Sequence, residues 1–319
     1  MMPWSISAAV AAGVAIVMLL ALLKRAHALP LDQPNHRSLH TRPTPRIGGL
    51  ALFPAAVGGA WSGGLSNDES LLLACAAGLF VLSIADDRHD LPVRLRLGVH
   101  LLLSGLAAYL LFGATPWLIP AALALGWMTN LYNFMDGANG LAGGMAAIGF
   151  AGLAAASHDV VLAAAVVGAA CGFLLFNFDP ARVFLGDAGS IPLGFLAGGL
   201  GLQGVAQGQW PLWYPLLVFS PFIVDASVTL LRRAWRREKV WQAHREHYFQ
   251  RLIRMGWPHR RLALAEYALM SLCGLSAYGM LRLESRAQML GLALWGAIYL
   301  MLMIAIDRRW RAFGDGHGS

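Results

Sequence analysis

The sequence predicts an all-α integral membrane protein: about eleven transmembrane helices, with the reactive loops gathered at the cytoplasmic side. Three observations predict it. Apolar types fill 57% of the 319 positions and charged types only 13%, with a mean hydropathy of +0.57. That leaves too few charges to cover a soluble fold of this size. The apolar residues also come in runs close to the roughly 20 residues that a membrane helix needs. Finally, the polar residues collect in islands between those runs: Asp86–Asp87, Asn130–Gly144, Phe184–Ser190 and Arg232–Leu252.

Taken in order, the runs predict helices over 4–24, 49–65, 70–85, 96–113, 117–131, 141–157, 159–177, 188–204, 211–230, 262–281 and 287–306. The first lacks a basic leader and is followed by a series of similar runs, so it reads as a retained helix and not a cleaved signal. Between 24 and 48, four prolines forbid an unbroken helix. No internal repeat or composition break divides the chain, which reads as one polytopic domain, 1–319. A basic cytoplasmic loop at 232–261 is expected to bind substrate within it.

The formal charge of +7 does not point to nucleic acid, because the basic residues form no separate domain. Apart from Arg282 and Arg286, the Lys and Arg residues fall in or beside alternate loops and the C-terminal tail. With eleven spans, the positive-inside rule puts those loops and the C-terminus in the cytoplasm and the N-terminus in the periplasm. Cys75, Cys171 and Cys273 lie in apolar runs and suggest neither disulfides nor zinc. The polar islands all share one side, which disfavours a lipid or anion transporter, where polar groups also belong near the midplane.

The islands carry groups suited to a polar reaction at the membrane surface. Asp86 and Asp87 follow an apolar run, and two adjacent carboxylates are costly unless a cation or a task relieves them. Asn130, Asn133 and Asp136, spaced by three, predict a slanting polar stripe at a helix end. Gly137, Gly140, Gly143 and Gly144 permit tight turns beside it, and helix packing explains them equally. Asp187 in FLGDAGS offers hard oxygen to magnesium or manganese, and Ser190 is placed to cap the helix that follows.

Further candidates bind rather than react. Asp225 interrupts an apolar helix and needs either a partner or a role. His244 and His247 share a helical face, flanked by Arg245 and Arg251, and suit a diphosphate or nucleotide. In the first loop, Asn35, Arg37, His40 and Arg46 precede Gly48 and Gly49, and the two arginines suit an anionic head group or donor phosphate. Simple positive-inside anchoring remains the alternative for the basic loops.

These stretches together resemble a family. DQPNHRSLHTRPTPRIGG, DDRHDLPVRLRL, NLYNFMDGANGLAGG, NFDPARVFLGDAGS and AHREHYFQRL, in that order, resemble the bacterial polyprenyl-phosphate N-acetylhexosamine-1-phosphate transferases of glycosyltransferase family 4. The HREH form is similar in style to O-antigen initiating members; the related peptidoglycan transferase has a run of histidines there. The resemblance covers nearly the whole chain. It implies an enzyme of the bacterial inner membrane that is magnesium-dependent, with manganese as substitute. The implied reaction moves an N-acetylated amino sugar-1-phosphate from a UDP-sugar to undecaprenyl phosphate and releases UMP.

Carried onto this sequence, the resemblance makes Asp86, Asp87 and Asp136 catalytic and Asp187 the metal ligand. Asn133 joins the central motif, and His244 and His247 the late substrate loop. The family often has a second acid where this chain has Asn139, so Asn139 is expected to bind substrate by hydrogen bonds alone. The peptidoglycan-type reaction is the alternative enzyme reading. A homodimer remains open, as does the identity of the sugar.

Overall fold

A computed structural model describes residues 3–25, 31–33, 43–240, 242 and 244–316, so Asn35, Arg37 and His40 lie outside the described residues. The chain is almost wholly helical. α1 (Pro3–Lys24) leads through β1 (Leu31–Asp32) and β2 (Thr44–Pro45) to α2 (Gly48–Gly63), α3 (Asn67–His89), α4 (Val93–Phe112) and α5 (Leu118–Phe134). Then come α6 (Leu141–Ala156), α7 (Val161–Asn177), α8 (Asp187–Ala206), α9 (Trp213–Val218) and α10 (Ser220–Trp235). α11 (Tyr248–Arg254), α12 (His259–Met280) and α13 (Ser285–Gly316) complete the fold. The two short strands pair antiparallel, Leu31 opposite Pro45.

The eleven apolar runs are all helical, but the expectation of about eleven spans is wrong. Among the described residues six helices are long and apolar enough to cross a membrane: α1, α3, α4, α8, α12 and α13. α2 and α6 have 16 residues, α5 and α7 have 17. At 1.5 Å per residue these reach about 25 Å, short of a hydrocarbon core about 30 Å thick. The run over 211–230 is broken at Phe219 into α9 and α10. An even count also removes the parity argument that set the two termini on opposite sides. The stretch 232–261 is likewise no continuous loop, since α10 runs through Trp235 and α11 lies inside it.

Small residues allow the helices to approach closely, as expected where burial of apolar surface offers little drive between helices. α1 packs on α2 and α7. A Cβ on Gly168 would stand 2.0 Å from the Ala8 carbonyl oxygen, and one on Gly59 2.5 Å from that of Ser7. α3 and α5 flank α8, while α6 bridges α7 and α12. Of the apolar window of α8, 83% is buried, against 11% for α13. α8 is therefore the central post, and α13 presents its sides outward. The N-terminus of α8 carries Asp187, so the best-packed helix holds the site.

Candidate active site

The first loop and the α8 turn are stitched together by backbone. The Phe184 N–H donates to the Pro45 carbonyl (2.9 Å), Gly48 N–H to that of Phe184 (2.8 Å), and Gly49 N–H to that of Leu185 (2.8 Å). A Cβ on Gly49 would lie 2.2 Å from the Gly189 nitrogen, so only glycine permits this approach. The helix N-termini of α2 and α8 thus meet, and Arg46 is brought beside Gly186. Gly186 adopts φ +71°, the left-handed conformation that favours glycine, and starts α8 at Asp187. Arg46 itself pairs with Asp32 at 2.9 Å.

Asn133, in the last turn of α5, donates to Asp187 Oδ1 (3.0 Å) and Ser190 Oγ (2.9 Å). This joins two of the polar islands. Ser190 does not cap α8 as the sequence suggested; its hydroxyl donates back to the Gly186 carbonyl at 3.2 Å. Asp187 is the common electrostatic neighbour of Asp87 and Asp136, and Arg46 is the countercharge to both. Asp136 lies just beyond α5, half-buried. Its carboxyl is pushed up to about 7, first by burial and then by Asp187; Arg46 and the Gly186 N–H act in the opposite direction.

That shift makes a measurable statement. Folded, Asp136 titrates near 7 against an ordinary 3.8. The native chain then holds a proton that the unfolded chain has lost, and stability falls as pH rises through this window. Asp136→Asn has no such loss. In metal-free buffer its melting midpoint is expected to exceed wild type by a few degrees at about pH 8.5 and to converge on it as the pH falls to about 3.5. Equal midpoints at both values would remove the burial argument.

Asp86 is differently employed. Its carboxyl accepts from Leu91 N–H (2.9 Å) and pairs with Arg96 (2.5 Å), fixing the turn between α3 and α4. Asp87, the next residue, is left exposed toward Asp187 and Arg46. Asn130 donates within its own helix to the Gly126 carbonyl (2.7 Å) and stands beside His100. The Asn130–Asn133–Asp136 stripe is therefore divided: Asn133 faces Asp187, and Asn130 does not.

Asn139 is also committed. It donates to Asp179 Oδ1 (2.8 Å), and its backbone N–H meets His259 Nδ1 (3.2 Å). An aspartate there would oppose Asp179, which gives the departure from the family pattern a physical reason. Gly140 N–H is taken by Asn177 Oδ1 (2.9 Å) and its carbonyl by Tyr267 (2.7 Å), so this turn does not offer those groups to a phosphate. His259 thus helps to shape the turn.

A second cluster rests on Asp225. It accepts from Tyr248 N–H (2.9 Å), Phe249 N–H (3.0 Å) and Thr229 (3.2 Å), with His247 Nδ1 at 3.2 Å. Asp225 therefore pins the start of α11. His247 stacks between Phe134 and Phe249, and a Cβ on Gly137 would meet the Phe249 ring at 3.0 Å. The late loop is in this way laid on the turn that carries Asp136. His244 lies 4.8 Å from His247, ring to ring. Burial, then His247 and Arg233, push its imidazole down to about 4, so it is neutral near pH 7.

One expected phosphate binder is engaged elsewhere. Arg251 is buried and pairs with Asp307 of α13 at 2.9 Å, as does Arg232 at 2.8 Å. Arg245 accepts a hydrogen bond from Arg254 through its carbonyl at 3.4 Å. Asp307 was missed from the sequence; an acid closing an apolar run was the available signal.

The donor set suits a hard divalent ion: carboxyl oxygens around Asp187, with Arg46 as the opposing charge. Among the described residues no three acidic, imidazole or thiol groups are placed to hold an ion by themselves. Magnesium commonly takes one or two carboxylates and completes its shell with phosphates and water. The carboxyl oxygens here would supply only part of such a shell.

Comparison with known proteins agrees in kind. The model of the family described as Glycosyl transferase family 4 matches residues 70–205. A probable undecaprenyl-phosphate N-acetylglucosaminyl 1-phosphate transferase of Bacillus subtilis is 30% identical over 274 residues, covering 77% of this chain and 76% of that protein. A decaprenyl-phosphate N-acetylglucosaminephosphotransferase of Mycobacterium tuberculosis is 26% identical, covering 73% and 71%. A phospho-N-acetylmuramoyl-pentapeptide-transferase of Desulforudis audaxviator is 29% identical, covering 84% and 95%.

Proposed function

The chain belongs to the polyprenyl-phosphate sugar-1-phosphate transferases of glycosyl transferase family 4, and from that membership we propose that it moves an N-acetylated amino sugar-1-phosphate from a UDP-sugar to undecaprenyl phosphate. It is a transferase and a multi-pass inner-membrane protein. The finer reading is that its product starts a lipid-linked surface glycan such as O-antigen. The observation that carries the chemistry is Asp187, held by Asn133 at the head of the most buried spanning helix, as common neighbour of Asp87 and Asp136.

In the proposed reaction an oxygen of the lipid phosphate attacks the sugar-side phosphorus of the donor. The bond from that phosphorus to the UMP oxygen breaks, and UMP leaves with the electron pair. Asp187 would hold magnesium, which would offset negative charge on the transferring group. Asp87 orients the acceptor phosphate, while Asp86 positions Asp87 by fixing the α3–α4 turn. Asp136, protonated to a substantial degree near pH 7, holds or yields a proton at its carboxyl as the charge beside it changes. Asn133 and Ser190 keep Asp187 in place. His247 and His244, carried by Asp225, present neutral or donor nitrogens to the nucleotide side. The loops that bear these residues are assigned to the cytoplasm, where UDP-sugars are held.

The O-antigen reading is supported by His244-Arg245-Glu246-His247. Arg233 and Arg236 both bind Glu246, so the charged middle of this loop is locked to α10. A donor panel with labelled polyprenyl phosphate, read by product mass, tests the assignment. Transfer from UDP-N-acetylglucosamine or a 6-deoxy amino sugar nucleotide is expected. Transfer only from the muramoyl-pentapeptide donor would replace this reading with the peptidoglycan-type one.

A further inference from the structure

A cavity of about 600 Å³ opens where α10, α11 and α13 meet, and none of the Asp87–Asp136–Asp187 group lines it. Its walls hold four arginines against three carboxyl groups. Arg232 and Arg251 share Asp307, and Arg236 pairs with both Glu238 and Glu246. Those two glutamates also serve Arg233, from behind the wall. Arg311 makes no ion pair among the described residues, so the cavity keeps a surplus of positive charge. Arg251 is only 7% exposed, and its Nε has no hydrogen-bond partner. A buried guanidinium N–H left unpaired is costly and is relieved by an acceptor.

The surroundings identify the acceptor's source. The apolar run of α13 ends at Ile306, and Trp310 follows in the cavity wall. On the other side Trp235 is 91% exposed at the end of α10. Tryptophan in such places marks the level of lipid head groups. Away from the cavity, Leu231, Leu300 and Ile304 are exposed along the same two helices and offer a path for acyl chains. We propose that this cavity binds the head-group phosphate of an acidic membrane phospholipid, distinct from either substrate of the transfer. Arg311 and Arg251 receive the phosphate, and the two tryptophans fix its depth.

The test reads binding and not turnover, so it stands apart from the transferase assignment. The full chain in detergent is titrated with phosphatidylglycerol, phosphatidylcholine or inorganic phosphate and followed by native mass spectrometry. Phosphatidylglycerol is expected to remain bound at concentrations where the other two leave no adduct. Arg311→Gln, which breaks no ion pair, is expected to weaken its retention about fivefold, the effect of one basic residue near an anionic lipid. Arg311→Lys should stay near wild type, as should Arg286→Gln at the far end of α13. Equal retention of the two lipids overturns the proposal, as does Arg311→Gln matching wild type. Binding of inorganic phosphate alone, or equal loss in Arg286→Gln, overturns the lipid source.

Discussion

Asp187→Asn is expected to lower turnover by about 10³-fold or more, on the scale of removing a group that stabilises transition-state charge. The substitution is nearly isosteric. The amide oxygen can still accept from Asn133, now 3.0 Å from Asp187 Oδ1, so the head of α8 keeps its shape. What is lost is the anionic oxygen proposed to hold magnesium. A second consequence separates this from simple misfolding. Asp187 is one cause of the raised titration of Asp136, so in the variant Asp136 should titrate below about 7. Labelled-lipid turnover at increasing magnesium, with EDTA as the zero point, checks the first effect. Wild-type turnover and an unchanged magnesium dependence in Asp187→Asn would end the metal assignment.

The second large effect is expected at Asp225. Its carboxyl receives two backbone N–H groups of α11, Thr229 and the Nδ1 of His247. Asp225→Ala leaves all four without that partner in a buried place. Breaking a buried charged contact costs about 3–5 kcal/mol, and much of that comes from the groups left behind. Asp225→Asn retains one acceptor oxygen and is expected to fall between alanine and wild type. Both variants should show a lower melting midpoint and faster proteolysis between Arg237 and His247, and alanine should lose most of its transfer activity. A midpoint for Asp225→Ala equal to wild type would show that α11 is held by other means.

How far these features were legible from the sequence depends on their range. A run of apolar residues is a local signal, and all eleven runs form helices. Whether a helix spans is a matter of a few residues at each end. The breaks after Gly63 and at Phe219 shorten elements that composition alone extends to full spans. The grouping of Asp87, Asp136 and Asp187 was expected because each closes or opens a helix. Their partners were not. Asn139 with Asp179, Asp225 with the α11 N–H groups, and Arg251 with Asp307 are contacts across 40, 23 and 56 positions. Nothing local marks such pairs, because a polar residue at a helix end is equally well satisfied by water. Asp225 was noticed only because water was absent from its predicted surroundings.

The backbone bonds from Phe184 and Leu185 to the 45–49 segment join residues about two-fifths of the chain apart. Translation delivers the N-terminal side first. Until α8 leaves the ribosome, Arg46 and Asp87 are without Asp187, and α2 lacks the glycine surface it must meet. The Asp187 centre therefore cannot assemble before α8 is made. A nascent fragment ending before α8 carries Asp87 and Asp136 and none of the assembled centre.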